Sequence, residues 1–276
     1  MCTIPVLRRV CRESYNEPRA VYEKLKRLGM ELVTITDHDS IGAMEELRPL
    51  PDFFVSEEVT CRLPSGTWLH VGVYDISERD HVEIQRRRDD FESLAAYLVE
   101  RRLFFSANHV FSSLTGRRAP EDFELFESAF PAIETRNGHM LARANEAAAT
   151  LADFAGQIEI GGSDAHAMAS VGSTYTVVPG ARNKREYLEG LRMGMGRVRG
   201  ETGGYLKLTR DVLSIGGRMV RENRWTTPVA ALALAVPAVV LANYARESAF
   251  AHWWMARYLR ERALRGAAGP AMEAAA

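Results

Sequence analysis

Short apolar runs alternate with amphipathic stretches along most of the chain. Apolar residues at helical spacing predict helices at residues 16–28, 40–48, 78–102, 121–130, 139–154 and 184–193. The runs between them predict strands at residues 32–36, 53–60, 68–74, 103–107, 132–135, 157–161 and 174–178. Strands separated mostly by helices favour an α/β fold with a parallel, barrel-like sheet over a sandwich.

Carboxylate and imidazole side chains collect in or just after these predicted strands. They are Asp37, His38, Glu58, His70, His109, Asp164 and His166. A single histidine in a strand is usually a hydrogen-bonded core or surface residue, and Glu57 beside Glu58 is expected to be solvated. Active sites of parallel barrels lie at the carboxyl ends of the strands, however. Because zinc, manganese and iron prefer such donors, the joint pattern predicts a metal-dependent hydrolase.

Composition narrows the class of protein. The chain has 276 residues, 46% of them apolar, which suffices for one barrel domain with an appendage or for two small domains. Its 36 acidic and 35 basic residues give no overall basic excess of the kind that favours nucleic acid as a bulk partner. Three unpaired cysteines, Cys2, Cys11 and Cys61, argue against a disulfide framework, and no secretory signal is recognised, so a cytoplasmic location is expected.

Two other hydrolase classes lack their sequence signatures. No Gly-x-Ser-x-Gly nucleophile elbow occurs, and Gly162-Ser163-Asp164 does not fit one. No phosphate-binding P-loop occurs either. The glycine pairs Gly203-Gly204 and Gly216-Gly217 are interpreted as turns.

The order and approximate spacing of the polar motifs resemble a known family. The motif segments are residues 36–41, 56–60, 70–74, 108–110, 133–137 and 162–166. They resemble the successive motifs of the PHP (polymerase and histidinol phosphatase) metal-dependent phosphoesterases over roughly residues 1–200. Thr-Asp-His-Asp at 36–39 and Ser-Asp-Ala-His at 163–166, in this order in one chain, make the resemblance specific.

The resemblance implies a distorted (βα)7-type barrel with a truncated first strand. It implies hydrolysis of phosphate mono- or diesters by a water that two or three zinc, manganese or iron ions activate. The substrate would be a small phosphorylated molecule or a nucleic-acid end. By position, the metal ligands would be His38, Glu58, His70, His109, Asp164 and His166, with Glu58 as the bridging carboxylate.

Catalytic and substrate-binding candidates follow from the same site. His109 and His166 are candidates for protonating the leaving group, and Asp37 is a third catalytic candidate. Arg117 and Arg118, in the loop after His109, and Arg136 are candidates for binding phosphate.

One family motif is not found. PHP proteins carry a His-x-His pair on the first strand, and this sequence contains no such pair. Either the chain starts beyond that motif or the site is depleted, and one metal position is expected to be weak. Two alternatives therefore stay open: a non-catalytic metal-binding or regulatory module of the same fold, and an amidohydrolase. The amidohydrolase would also need an inward-facing lysine or a His-x-His pair.

The character of the sequence changes after residue 200. We therefore predict a PHP-like domain at residues 1–200 and a helical tail at 201–276. Residues 226–245 are almost uncharged and, at about 20 residues, are long enough to cross a bilayer as a helix. This helix is expected either to attach the protein to the inner face of a membrane or to pack on the barrel or on a partner.

Overall fold

The computed structural model describes residues 14–272, which form a mixed α/β structure around a five-stranded sheet. The strands are β1 (Ser56–Arg62), β2 (Trp68–Tyr74), β3 (Phe104–Asn108), β4 (Ala132–Asn137), β5 (Ile158–Gly162), β6 (Thr174–Val177) and β7 (Arg197–Gly200). The helices are α1 (Pro18–Arg27), α2 (Met44–Leu47), α3 (Glu78–Arg87), α4 (Phe91–Glu100), α5 (Pro120–Ala129), α6 (Ala142–Ala155), α7 (Lys184–Arg192), α8 (Tyr205–Glu222) and α9 (Val236–Met272). Short 3₁₀-helices occur at Met168–Ser170 and Arg224–Ala235.

Most predicted helices are confirmed, with ends that shift by a few residues. The single helix predicted at 78–102 is wrong, because the chain forms two helices there, α3 and α4. Asp90 causes the break: its carboxylate accepts hydrogen bonds from the backbone N–H groups of Glu92 and Ser93 and caps α4.

The sheet is only half parallel. Its order is β1-β2-β3-β4-β5; the first two pairings are antiparallel and the last two are parallel. The prediction of a parallel sheet is therefore wrong for β1–β3. The short turn between β1 and β2, closed by a hydrogen bond from Leu63 N–H to Thr67 O (2.9 Å), is too short for a crossover between parallel strands.

The predicted first strand, residues 32–36, is extended but is not a strand of the sheet. It contacts the chain at and before β1 through two isolated parallel bridges, Val33–Phe53 and His38–Glu58. No closed barrel is found within residues 14–272, so the predicted (βα)7 count is not confirmed. The strand that sequence patterns missed, β7, carries Arg197 and Arg199 and pairs with β6 in a separate two-stranded sheet that contacts β5.

The core lies between the sheet and the helices that cover it, and α9 is part of it. Trp254 of α9 stacks on Phe123 of α5 with ring centroids 5.3 Å apart, and the Tyr258 hydroxyl donates to Glu127 at 2.5 Å. Glu57 also faces inward, fully buried, where His81 and Gln85 contact its carboxylate at 2.8 and 2.9 Å. The expected solvation of Glu57 is therefore wrong.

The two adjacent tryptophans of α9 test whether this helix stabilises the domain. Trp254 is 6% exposed and Trp253 is 53% exposed. We expect Trp254→Ala to lower the free energy of unfolding by about 3–5 kcal/mol, because it removes a large buried side chain and leaves a cavity. Trp253→Ala is the matched control and should cost less than about 1 kcal/mol. Urea denaturation measures both, and equal losses in the two variants would contradict the packing of α9 on α5.

Candidate metal centre

Glu58 is the carboxylate at the centre of the site. Strand β1 turns alternate side chains to opposite faces, so Glu58 points into the site while Glu57 points into the core. Asn108 Nδ2 donates to Glu58 Oε1 at 2.7 Å. Glu58 Oε2 lies 3.2 Å from His38 Nδ1 and 3.6 Å from His70 Nδ1. One donor atom from each of His38, Glu58 and His70 lies within 4.8 Å of the other two.

A second group of contacts orients His109. His109 Nε2 lies 2.8 Å from Nδ1 of His70, which is on the neighbouring strand β2. On the other side of the ring, Nδ1 lies 3.1 Å from Glu134 Oε2, and the same oxygen accepts the backbone N–H of His109. Because a carboxylate can only accept, Nδ1 of His109 carries a proton.

The third group comes from the ends of β4 and β5. Asn137 Nδ2 donates to Glu134 Oε2 and to Asp164 Oδ2, both at 3.0 Å. Asp164 Oδ1 lies 3.5 Å from His166 Nδ1. The amide of Asn137 therefore connects the carboxylate that holds His109 to the Asp164–His166 pair.

Two imidazoles of the cluster have pKa values shifted in opposite directions. Burial, reinforced by the charge of His109, lowers the pKa of His70 to about 2. Burial also opposes charge on His109, but the carboxylates of Glu58 and Glu134 outweigh it and raise the pKa of His109 to about 9. Positive charge is therefore stabilised beside His109, where two carboxylates lie close, and not at His70.

Burial and the neighbouring imidazoles also shift the pKa values of the carboxylates. Burial raises the pKa of Glu58, and the neighbouring His109 opposes that change. Burial alone would raise the pKa of Asp164 too, but His166 and the other imidazoles outweigh it and hold the pKa below its usual range. Glu58, Glu134 and Asp164 together create a buried negative field that a divalent cation would neutralise.

A cavity of about 850 Å³ gives access to this cluster. Side chains that line it at the cluster include Asp37, His38, Glu58, Asp164 and His166. Its other walls include residues 32–36 and residues of β6 and α7. The cavity is large enough for a small phosphorylated molecule.

The predicted ligand residues all meet in this one cluster, whereas the predicted phosphate-binding arginines do not line the cavity. Arg118 is buried and donates to Val110 O, Trp68 O and Thr115 Oγ1 at 3.0, 2.6 and 2.7 Å, so it holds its own loop together. Arg117 and Arg136 are exposed, and Arg136 donates to Gly200 O at 3.2 Å.

Sequence reasoning assigned no role to three residues of the cluster. Asn108 and Asn137 end β3 and β4, and Glu134 lies within β4. A polar side chain inside a buried strand was the available signal, but such a residue binds no metal by its type alone. His139 was also missed: its ring centroid lies 5.5 Å from that of His166, and its buried Nδ1 has no hydrogen-bond partner among residues 14–272.

The sequence of the last third of the domain matches a known family. The profile of the PHP-associated family matches residues 142–195, which contain Asp164 and His166. Over these residues the chain is therefore similar to PHP-associated proteins. No curated protein matches it at a significant level.

Solved structures with a similar fold include PsfC from Pseudomonas syringae PB-5123. PsfC is 19% identical with a TM-score of 0.53, and the match covers 76% of this chain and 93% of PsfC. A candidate metal-dependent phosphoesterase from Bifidobacterium adolescentis is 14% identical with a TM-score of 0.43, and the match covers 67% of this chain and 93% of that one. The PsfC likeness supports the fold.

The donors of this chain fit a divalent metal ion. Imidazole nitrogens and carboxylate oxygens are the usual ligands of zinc, manganese and iron. The donor atoms of His38, Glu58 and His70 are close enough for one ion with ligand distances of about 2.0–2.2 Å after small side-chain movements. The buried negative field of the three carboxylates favours the same charge.

Removal of one donor tests this fit. We expect His70→Ala to reduce Zn²⁺ affinity by more than the roughly 10–100-fold that loss of an outer-shell partner costs, because it deletes a ligand outright. Competition titration with a chromophoric chelator measures the affinity. His252→Ala, an exposed histidine of α9, is the control and should bind as the unchanged protein does. Unchanged affinity in His70→Ala would exclude His70 as a ligand.

Glu134 supports a different expectation, since it contacts His109 and not the His38–Glu58–His70 group. Glu134→Gln keeps the shape but weakens the acceptor of the Nδ1 proton, so His109 should lose its fixed tautomer and orientation. We expect an affinity loss of about 10–100-fold, smaller than that of His70→Ala. The same titration measures it, and a loss as large as that of His70→Ala would make Glu134 a direct ligand.

Proposed function

We propose that this PHP-domain chain is a metal-dependent phosphoesterase that hydrolyses phosphate mono- or diesters. The observation that carries the proposal is the convergence of the Glu58 cluster and the Asp164–His166 pair on one cavity. The match of residues 142–195 to the PHP-associated family supports it.

Each residue has a proposed task. His38, Glu58 and His70 would hold one divalent ion, and His109, Asp164 and His166 would contribute to a second. When bound, the ions polarise the phosphate and lower the pKa of a water molecule. Asn108 and Asn137 orient Glu58 and Asp164 through the amide hydrogen bonds described above.

The residue that donates a proton to the leaving oxygen must have a side chain that lines the cavity. Asp37 and His166 line it, whereas His109 does not. His109 is also held on one side by Glu134 and on the other by His70. We therefore assign the proton to the carboxyl group of Asp37, because His166 is assigned to the second ion, and not to His109.

A non-catalytic metal-binding module is the second candidate. Within residues 14–272, the compact group of three donors is His38, Glu58 and His70, which is one ion position. A single ion can hold the fold together or sense metal without the second ion that assists phosphoester hydrolysis in two-metal sites.

The decisive experiment is hydrolysis by protein reconstituted with Zn²⁺ or Mn²⁺. A p-nitrophenyl monoester, the corresponding diester, histidinol phosphate and nucleotides form the panel. We expect metal-dependent turnover of at least one ester, its loss in Glu58→Gln and its retention in His252→Ala. Stoichiometric metal binding without hydrolysis of any ester would support the non-catalytic module instead.

A further inference from the structure

The surface carries an apolar segment, residues 225–245, that contains no charged side chain. Large side chains of this segment face solvent. Leu234 is 89% exposed, Trp225 61%, Leu241 57%, Val239 55% and Leu232 53%. The most apolar stretch of the helical region Ala230–Arg265 is only 6% buried. Contiguous apolar surface of this kind marks an interaction site in a soluble domain.

Both ends of the apolar segment are attached to the same domain. Thr226 is fully buried, and Val240 is 6% exposed. Between them, the Tyr205 hydroxyl of α8 donates to Pro237 O at 3.3 Å. A segment whose two ends return to one domain cannot place them on opposite sides of a bilayer.

The course of α9 gives a second argument against a spanning helix. Directly after the apolar segment, the Glu247 carboxylate accepts hydrogen bonds from Ser112 Oγ and from the backbone N–H of Ser113, at 3.0 and 2.9 Å. Further along, Ala251, Trp254 and Tyr258 are buried in the core. The segment also changes from a 3₁₀-helix to an α-helix at Val236.

The charges around the segment indicate which partner it fits. The charged residues within about two helical turns of either end of the segment are Arg218, Arg221, Glu222, Arg224, Arg246 and Glu247. The four arginines outnumber the two glutamates, so the rim has a net positive charge, although Arg218 donates to Tyr15 O and Arg246 pairs with Glu247. Trp225 and Tyr244 lie at the two ends of the segment, as aromatic residues do at membrane interfaces. An apolar strip with a basic rim is complementary to an anionic lipid surface.

We propose that the apolar segment lies in the interfacial region of an anionic lipid bilayer, parallel to its plane, and anchors the domain without crossing the membrane. The Leu232, Leu234 and Leu241 side chains enter the acyl boundary. The arginines at the rim contact lipid phosphates. A second copy of the chain fits less well, because two cationic rims would face each other.

The test is flotation of the full chain with vesicles. We expect binding to vesicles of phosphatidylcholine with phosphatidylglycerol, weaker binding to pure phosphatidylcholine, and a decline as salt is raised. Leu232→Glu and Leu234→Glu should each reduce partitioning into vesicles about tenfold or more. Each variant replaces a leucine that the proposal places in the acyl boundary with a charged side chain. Val99→Glu, at a 65% exposed position of α4, is the matched control and should bind fully.

Four results would overturn the proposal. The full chain would stay unbound with every vesicle composition, or the leucine variants would float as well as Val99→Glu does. Resistance of the bound protein to alkaline carbonate extraction would show a spanning segment. A dimer in sedimentation that Leu234→Glu dissociates, without vesicle binding, would show that a second copy covers the segment. Zn²⁺ affinity of the leucine variants should equal that of the unchanged protein, which separates this proposal from the proposed phosphoesterase activity.

Discussion

A buried carboxylate must be compensated by hydrogen bonds and opposite charge, and Glu58 imposes this requirement on its whole surroundings. Asn108 supplies one hydrogen bond, and its own Oδ1 accepts from Ser106 Oγ at 2.7 Å. The Tyr74 hydroxyl lies 3.3 Å from the same serine oxygen. Gly72, which pairs with Ser106 across the two strands, leaves room for these hydrogen bonds. A Cβ at this position would lie 2.5 Å from the Tyr74 hydroxyl. Four positions on β2 and β3 thus follow from one carboxylate on β1.

The antiparallel and parallel halves of the sheet contribute different side chains to the site. The antiparallel half supplies the Glu58 group, and the parallel half supplies Glu134, Asn137 and Asp164. At the junctions, His109 and Asp164 have φ values of 32° and 45°, where residues other than glycine are uncommon. Such conformations persist where surrounding contacts over-determine them, and here each residue is held by at least one charged partner. The backbone conformation turns both side chains into the cluster.

Local sequence patterns predicted the parts of the structure that local chemistry determines. The imidazole and carboxylate candidates were recognised because each lies in or just after a predicted strand, and most helices were predicted correctly from apolar spacing. Strand direction could not be predicted in the same way, because an antiparallel pair and a parallel pair can have the same apolar pattern. The role of Glu134 escaped because it acts through His109, which is distant in sequence. Glu57 was misjudged because its partners, His81 and Gln85, lie on a helix that covers the strand.

Helix α9 is continuous in backbone but passes through two environments. Its first turns carry side chains that face solvent, and its later turns are enclosed by the α5 aromatics. Amide hydrogen exchange in such a helix is governed by different opening events along its length. The first turns can exchange by local fraying, whereas the amides around Trp254 can exchange only when the aromatic core separates. A single helix would therefore report both the most local and the most global motion of the protein.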